Sequence, residues 1–196
     1  MKLINLRQII LFAGVIFLLI TLKITATPTN LVVNGDFEAG NQDFISGYTH
    51  DPSLGANKTY AIANSPNALN QELPSFGDYT SGTGKMMIVR SSRAANETIW
   101  EQTVSVEPET DYQLSGAFAR AVPRATDNER LAKVGFYIND GLKENVEAGE
   151  DPGVWQEFVE TWNSDKKTSA TIKIRNSSSF DTYFAIDDIS LEVKNP

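Results

Sequence analysis

The chain has 196 residues, a formal net charge of −8 and no cysteine, which excludes disulfides, thiol catalysis and zinc–thiolate sites together. Its 17 Lys and Arg against 25 Asp and Glu disfavour nucleic acid or an anionic membrane surface as partner, because phosphate contacts need clustered basic residues. Divalent cations and neutral ligands suit this balance better.

Met1, Lys2 and Arg7 precede an apolar block from Ile9 to Leu22, and Ile24-Thr25-Ala26 leads out of it. This pattern predicts a secretory signal over residues 1–26, and hence an extracellular or cell-surface protein without stable membrane insertion after cleavage. An uncleaved single-span anchor is the alternative, its apolar block being short of the roughly 20 residues a bilayer needs. Removing Lys2, Arg7 and Lys23, and no acid, leaves −11 over 170 residues. Residues 27–29 read as a linker and residues 30–194 as one domain with a sizeable core.

The runs at 31–33, 60–63, 85–89, 98–106, 111–120, 133–138, 155–162, 168–175 and 183–193 alternate or concentrate apolar residues, as half-buried strands do. In Lys133 to Ile138, Val134, Phe136 and Ile138 share a face; in Thr168 to Arg175, Ala170, Ile172 and Ile174 do. About nine strands separated by Gly, Pro and Asn predict an all-β antiparallel sandwich or jelly roll. No amphipathic crossover helix supports a parallel sheet. Two long connections, 39–58 and 64–84, are rich in turn residues, and long ordered loops in a compact domain are usually functional or held by something.

Two acidic clusters stand at opposite ends of the domain, Asp36 and Glu38 after the first run and Asp187-Asp188 within the last. Neighbouring first and last strands would bring them together. Strict alternation places Asp187 on the face of Ala185, Ile189 and Leu191, and a carboxylate turned toward apolar surroundings needs a cation or strong donors. A hard divalent ion is one answer, with Glu38 and Asp187 as side-chain ligands, a carbonyl from the Gly35-Asp36 turn, and Asp78 from the second loop completing the shell. An Asx turn at Asp36, with Glu38 and Asp188 solvated, is the other.

The segments NLVVNGDFEAG (30–40), FGDYTSGTGKMMIV (76–89), IWEQTVSV (99–106), VWQEFVETWNS (154–164) and FAIDDISLEV (184–193) resemble the galactose-binding-like jelly roll. They are most similar to the carbohydrate-binding modules of bacterial cellulases and xylanases. The resemblance implies a bacterial, non-catalytic carbohydrate-binding protein with a structural calcium ion on Asp36 or the Gly35 carbonyl, Glu38, Asp78 and Asp187. It also implies that Val33 and Phe37 anchor the first turn in the core.

Sugar-binding proteins stack pyranose rings on aromatic side chains flanked by polar groups. Outward positions nominate Gln113, Tyr137 and Arg175, although a surface tyrosine pairing across strands is the plainer reading of Tyr137. Trp100 shares a face with Val104 and Val106, and the resemblance places Trp155 and Trp162 in the core as well. Tyr48, Tyr60 and Tyr79 could build a site at the loop edge. His50, the only histidine, has no Ser-His-Asp spacing around it, so catalysis is not expected. In a bacterial chain the sequons at Asn57, Asn96 and Asn176 are chance matches. An adhesive or structural domain that meets another protein, and a small secreted hydrolase, are the rival readings.

Overall fold

Alternating side chains set the architecture, which a computed structural model describes over residues 29–123 and 131–194. The expected signal segment, 1–26, lies outside the described residues. Six strands form one sheet in the order β1 (Thr49–His50), β2 (Thr59–Ala63), β3 (Met86–Arg90), β10 (Tyr183–Val193), β5 (Asp111–Arg120) and β8 (Trp155–Asn163). Four form the other: β4 (Thr98–Ser105), β9 (Ser169–Asn176), β6 (Lys133–Ile138) and β7 (Gly141–Glu147). Every pairing is antiparallel except the two-residue contact of β1 with β2. One short helix, α1 (Pro66–Leu69), follows β2. Among the described residues no helix is long and apolar enough to cross a membrane.

The inner faces of the two sheets meet in one core. Phe136 of β6 stacks on Phe158 of β8 at 3.6 Å between centroids, Phe118 packs against Phe184, and Trp100 is fully buried. A second, smaller core lies on the outer face of the six-stranded sheet, where Leu54, Ala61, Leu73, Met86, Ile88 and Ala185 are buried beneath the long loops. The run Met86-Met87-Ile88-Val89 is apolar without alternation because both of its faces are covered: Met87 and Val89 serve the inner core, Met86 and Ile88 the outer one.

Three local departures from the sequence expectations matter. Residues 31–33 form no strand; the Gln102 amide instead brackets Val33, its Oε1 accepting from the Val33 N–H and its Nε2 donating to the Val33 carbonyl, both at 2.9 Å. Val32 and Phe37 anchor this turn, while Val33 is 58% exposed, because the turn gives Val32 the inward position. The edge strand β7, polar in sequence, pairs with β6 across a turn at Asn139-Asp140 with φ of 50° and 62°, the left-handed pair that a tight hairpin demands.

The third departure is a bulge in β10. Asp187 pairs with Ala117 and Ser190 with Ser115, so three steps on β10 oppose two on β5, and Asp188 takes a φ of 49°. The extra residue puts Ile189 and Leu191 into the inner core, while Asp187 keeps the outward face of Ala185 and is buried there beneath the second long loop. Strict alternation fails because the strand changes phase at this point. Gly35 closes over the bulge: its carbonyl accepts from the Ile189 N–H at 3.0 Å, and a Cβ at Gly35 would lie 2.0 Å from the Ile189 carbonyl oxygen.

Candidate functional site

The bulge and the loop at 75–84 create two adjoining cavities on the outer face of the six-stranded sheet. The first, of about 450 Å³, is lined by Asp36 and Glu38 from the first turn, Asp78, Thr80, Ser81, Thr83 and Gly84 from the loop, and Asp187 and Asp188 from β10. All four carboxylates nominated from sequence therefore reach one cavity, and Asp188 joins them.

Each carboxylate already holds local donors. Asp78 accepts from the N–H groups of Ser81 (2.8 Å) and Gly84 (2.6 Å), Glu38 from the Lys85 N–H, and Asp187 from the N–H groups of Tyr79 (2.8 Å) and Asp188 (2.9 Å). The Thr80 hydroxyl donates to Asp188, and the Glu38 N–H to Asp36 at 3.3 Å. A Cβ at Gly84 would stand 2.1 Å from Glu38 Oε1 and 3.1 Å from Asp78 Oδ2, so a larger residue there would make the Glu38 carboxylate move. The Gly35 carbonyl, a nominated ligand, accepts from the Ile189 N–H at 3.0 Å.

The electrostatics are lopsided. Asp187, 1% exposed, is pushed up to about 8, by burial first and then by the charges of Asp188 and Asp78 against its two N–H donors. Asp188 is also raised, by burial and by the charges of Asp36, Asp78 and Glu38. Burial would raise Asp78 as well, but donors from Ser81, Gly84 and Thr83 outweigh it and leave its carboxyl below the usual value. An all-oxygen donor set with uncompensated negative charge is the chemistry a hard cation takes. In the arrangement described, however, no group of three or more His, Asp or Glu side chains among the described residues converges closely enough to enclose an ion.

The second cavity is a groove of about 490 Å³ that shares Asp36 and Asp188 with the first. Its floor comes from the outward positions of three adjacent strands, Ser190 and Glu192 of β10, Ser115 of β5 and Glu157 of β8. Tyr79, 39% exposed, forms one wall. Trp155 stands edge-on behind Tyr79 at 6.0 Å and edge-on to Phe76 at 6.0 Å, with its indole N–H donating to the Gly77 carbonyl at 3.3 Å. The Tyr79 hydroxyl has a raised pKa, through partial desolvation first and then the neighbouring charges of Glu157 and Asp188. An aromatic wall beside a row of hydroxyls and carboxylates can stack a sugar ring and bond its hydroxyls.

The residues nominated for carbohydrate fall elsewhere or apart. Gln113 lies on the outer face of the six-stranded sheet, between Glu192 and Thr161 at the end of the groove floor, and does not line the groove. Tyr137 and Arg175 lie on the outer face of the other sheet, so the three share no site. There the Arg175 guanidinium covers the Tyr137 ring at 4.6 Å and pairs with Asp140. Trp100 and Trp162 are core residues, but Trp155 is on the outer face. Tyr48 and Tyr60 are buried, which leaves Tyr79 alone of the three loop tyrosines able to meet a ligand. His50 packs against Tyr60, and Asp51 caps Ser53 and Gly55.

No protein-family profile matches the sequence, and no curated protein matches it either. Solved structures do. TmCBM61 in complex with β-1,4-galactotriose aligns over 85% of this chain and 99% of its own, with a TM-score of 0.56 and 15% identity. A Stig cyclase from Fischerella sp. TAU, in complex with an indole compound, aligns over 86% of this chain and 98% of its own, with a TM-score of 0.58 and 11% identity. The enzymatically active domain of bacteriophage CBA120 tailspike protein 4 aligns over 84% of this chain and 21% of its own, with a TM-score of 0.53 and 16% identity. At such identities the likeness is one of fold, and the fold serves both binding and catalysis among these proteins. The chain is a two-sheet jelly roll of the kind found in carbohydrate-binding modules.

Proposed function

We propose that this protein binds carbohydrate outside the cell, without catalysis, in the groove on the outer face of its six-stranded sheet. The observation that carries this reading is Tyr79, an exposed ring backed by Trp155 and standing beside the Ser115, Glu157, Ser190 and Glu192 side chains. The fold shared with TmCBM61, a protein solved with a bound trisaccharide, supports it. A binder rather than a hydrolase is supported by the position of Asp187: the carboxyl near neutrality lines the acidic cavity, not the groove, and holds two backbone N–H groups. Export rests on the N-terminal segment read from sequence, and would place the protein at the bacterial surface or beyond it.

Calcium is part of the same proposal. Asp36, Glu38, Asp78, Asp187 and Asp188 would supply oxygen ligands, and the ion would compensate their charge and brace the loop that carries Tyr79. Isothermal titration with a panel of soluble oligosaccharides tests the function, and binding that survives Tyr79→Ala unchanged would refute the site. Adding chelator tests the ion. Bound only by the folded state, at 100 times its Kd, it contributes about 2.7 kcal/mol of stability, which chelation should remove as a lower melting temperature.

A further inference from the structure

We propose that β8 pairs edge to edge with β8 of a second copy of this chain, antiparallel about a two-fold axis at Val159, so that two six-stranded sheets join into one. The inference goes beyond the carbohydrate reading and stands whichever ligand the groove takes.

The sandwich has edge strands β1, β4, β7 and β8, and the first three are blunted as natural sheet edges usually are. β1 is two residues long. Along β4 the Ile45 and Glu101 main chains exchange hydrogen bonds of 2.9 and 2.8 Å, and the Gly47 N–H donates to the Thr98 carbonyl at 3.0 Å, which leaves only the end of the strand open. β7 carries a bulge at Lys143 and a second charge at Glu147. β8 instead runs for nine residues against β5 with no register shift. Two bonds fix the phase of its main chain: the Ser164 N–H donates to the Thr110 carbonyl at 3.0 Å in the β5–β8 register, and the Lys194 N–H to the Asp111 carbonyl at 2.9 Å on the other side of β5. Even-numbered residues of β8 therefore bond β5, while the N–H and C=O groups of Glu157, Val159 and Thr161 point off the sheet. These main-chain groups meet no protein partner among the described residues, and an open edge of this length is a template for another strand.

Charge complementarity identifies that strand as a copy of β8. Val159, 48% exposed, is the middle residue of the strand and meets itself across a two-fold axis. In that register Glu157 stands opposite Thr161 of the second copy and Glu160 opposite its Phe158, so no carboxylate directly faces another. Lys194 supplies the opposite charge: it reaches over β5 and donates to the Thr161 hydroxyl at 3.0 Å, which brings its ammonium to the β8 edge. Facing side chains start about 5 Å apart, so Lys194 of each copy meets Glu157 of the other, once on either side of the axis. The exposed Glu150 before β8 and the exposed Lys166 after it come to the same end of the interface, because antiparallel pairing sets the start of one strand beside the end of the other. An interface of this kind is self-complementary by symmetry. Paired residues of joined strands share a face, so both grooves open on one surface, and a polymer long enough to span them is held twice.

Sedimentation velocity over a concentration series tests the pairing on the protein as its cell processes it, and a species of twice the monomer mass is expected. The chain has no cysteine, so Val159→Cys introduces one thiol per copy. Facing residues of a hydrogen-bonded pair have Cα atoms about 5.5 Å apart, within disulfide reach, and mild oxidation should cross-link this variant. Thr103→Cys, exposed on the β4 edge, should not cross-link. Val159→Lys sets two ammonium groups face to face and should weaken the dimer about ten-fold or more. Lys194→Glu should weaken it as well, and adding Glu157→Lys should restore it, since the exchanged charges meet again. Circular dichroism spectra matching that of the unaltered protein exclude misfolding of the variants. A monomer at every concentration would overturn the inference. So would a dimer that Val159→Lys leaves intact, equal cross-linking through Thr103→Cys, or no recovery in the charge-exchanged double variant, each of which marks a different interface.

Discussion

The outer face of the four-stranded sheet and the groove on the six-stranded sheet are built from the same kinds of residue and finished in opposite ways. On the four-stranded sheet, Tyr137 lies over Gly135, Arg175 covers the ring, and Asp140 receives both Lys173 and Arg175. Its aromatic and charged groups answer one another. On the six-stranded sheet, Tyr79 is open on the groove side and the groove carboxylates have no basic partner among the described residues. Outward position alone is thus a poor guide to a site; what distinguishes the groove is an open ring with no basic side chain lining the cavity beside it.

The largest expected effect tests how the six-stranded face is covered. Ile88→Ala should destabilise the protein by about 2–5 kcal/mol, because Ile88 fills the small core under the loops and a cavity there loosens the wall that carries Tyr79. Thr171→Ala, on the opposite outer face, should lie within about 0.5 kcal/mol of the unaltered protein in urea titration.

Ligand binding offers the next contrast. Tyr79→Ala should weaken oligosaccharide binding by about ten-fold or more, and Tyr137→Ala should leave it unchanged, as read by isothermal titration. The reverse result would move the site to the opposite face.

A smaller effect lies in pH. Asp187 has its folded pKa raised from 3.8 to about 8, so the fold favours the protonated form. In chelator, its contribution to stability should be complete below about pH 4 and should drain away as pH rises through about 8. Millimolar calcium should flatten that decline by taking the ionised form. Melting temperatures across this range, with and without calcium, would show it; a flat profile in chelator would contradict the burial of Asp187.

The smallest effect belongs to Asp140→Asn. This acid is exposed and its lowered pKa comes from Lys173 and Arg175, so the melting temperature should shift little, and less still at high salt.

Much of the fold was legible because the inner core follows alternation. Val134, Phe136 and Ile138, and Ala170, Ile172 and Ile174, all face inward as their spacing requires. β7 escaped because an edge strand needs little apolar content, although Asn139-Asp140 signalled its turn. The convergence of Asp36, Glu38 and Asp187 on one cavity followed from placing the first and last segments together, and Asp78 joins them from the second long loop. The groove did not follow, although its signals were present. Trp155 and Trp162 are seven residues apart in an unbroken strand, an odd separation that sends them to opposite faces. The unalternating run at 86–89 likewise announced that the second loop covers the sheet. The pairing of Arg175 with Tyr137 depends on side-chain paths across strands, which no linear pattern reports.

The bulge at Asp187-Asp188 gives β10 two reading frames. Before it, odd-numbered residues look outward; after it, even-numbered ones do, and Ser190 and Glu192 reach the groove only because of that shift. Deleting Asp188 would restore a regular pleat and keep these faces, whereas a regular pleat that retained Asp188 would exchange them, turning Ile189 and Leu191 to solvent and Glu192 into the core. How the backbone absorbs one extra residue, rather than any side chain, decides which face of this strand floors the groove.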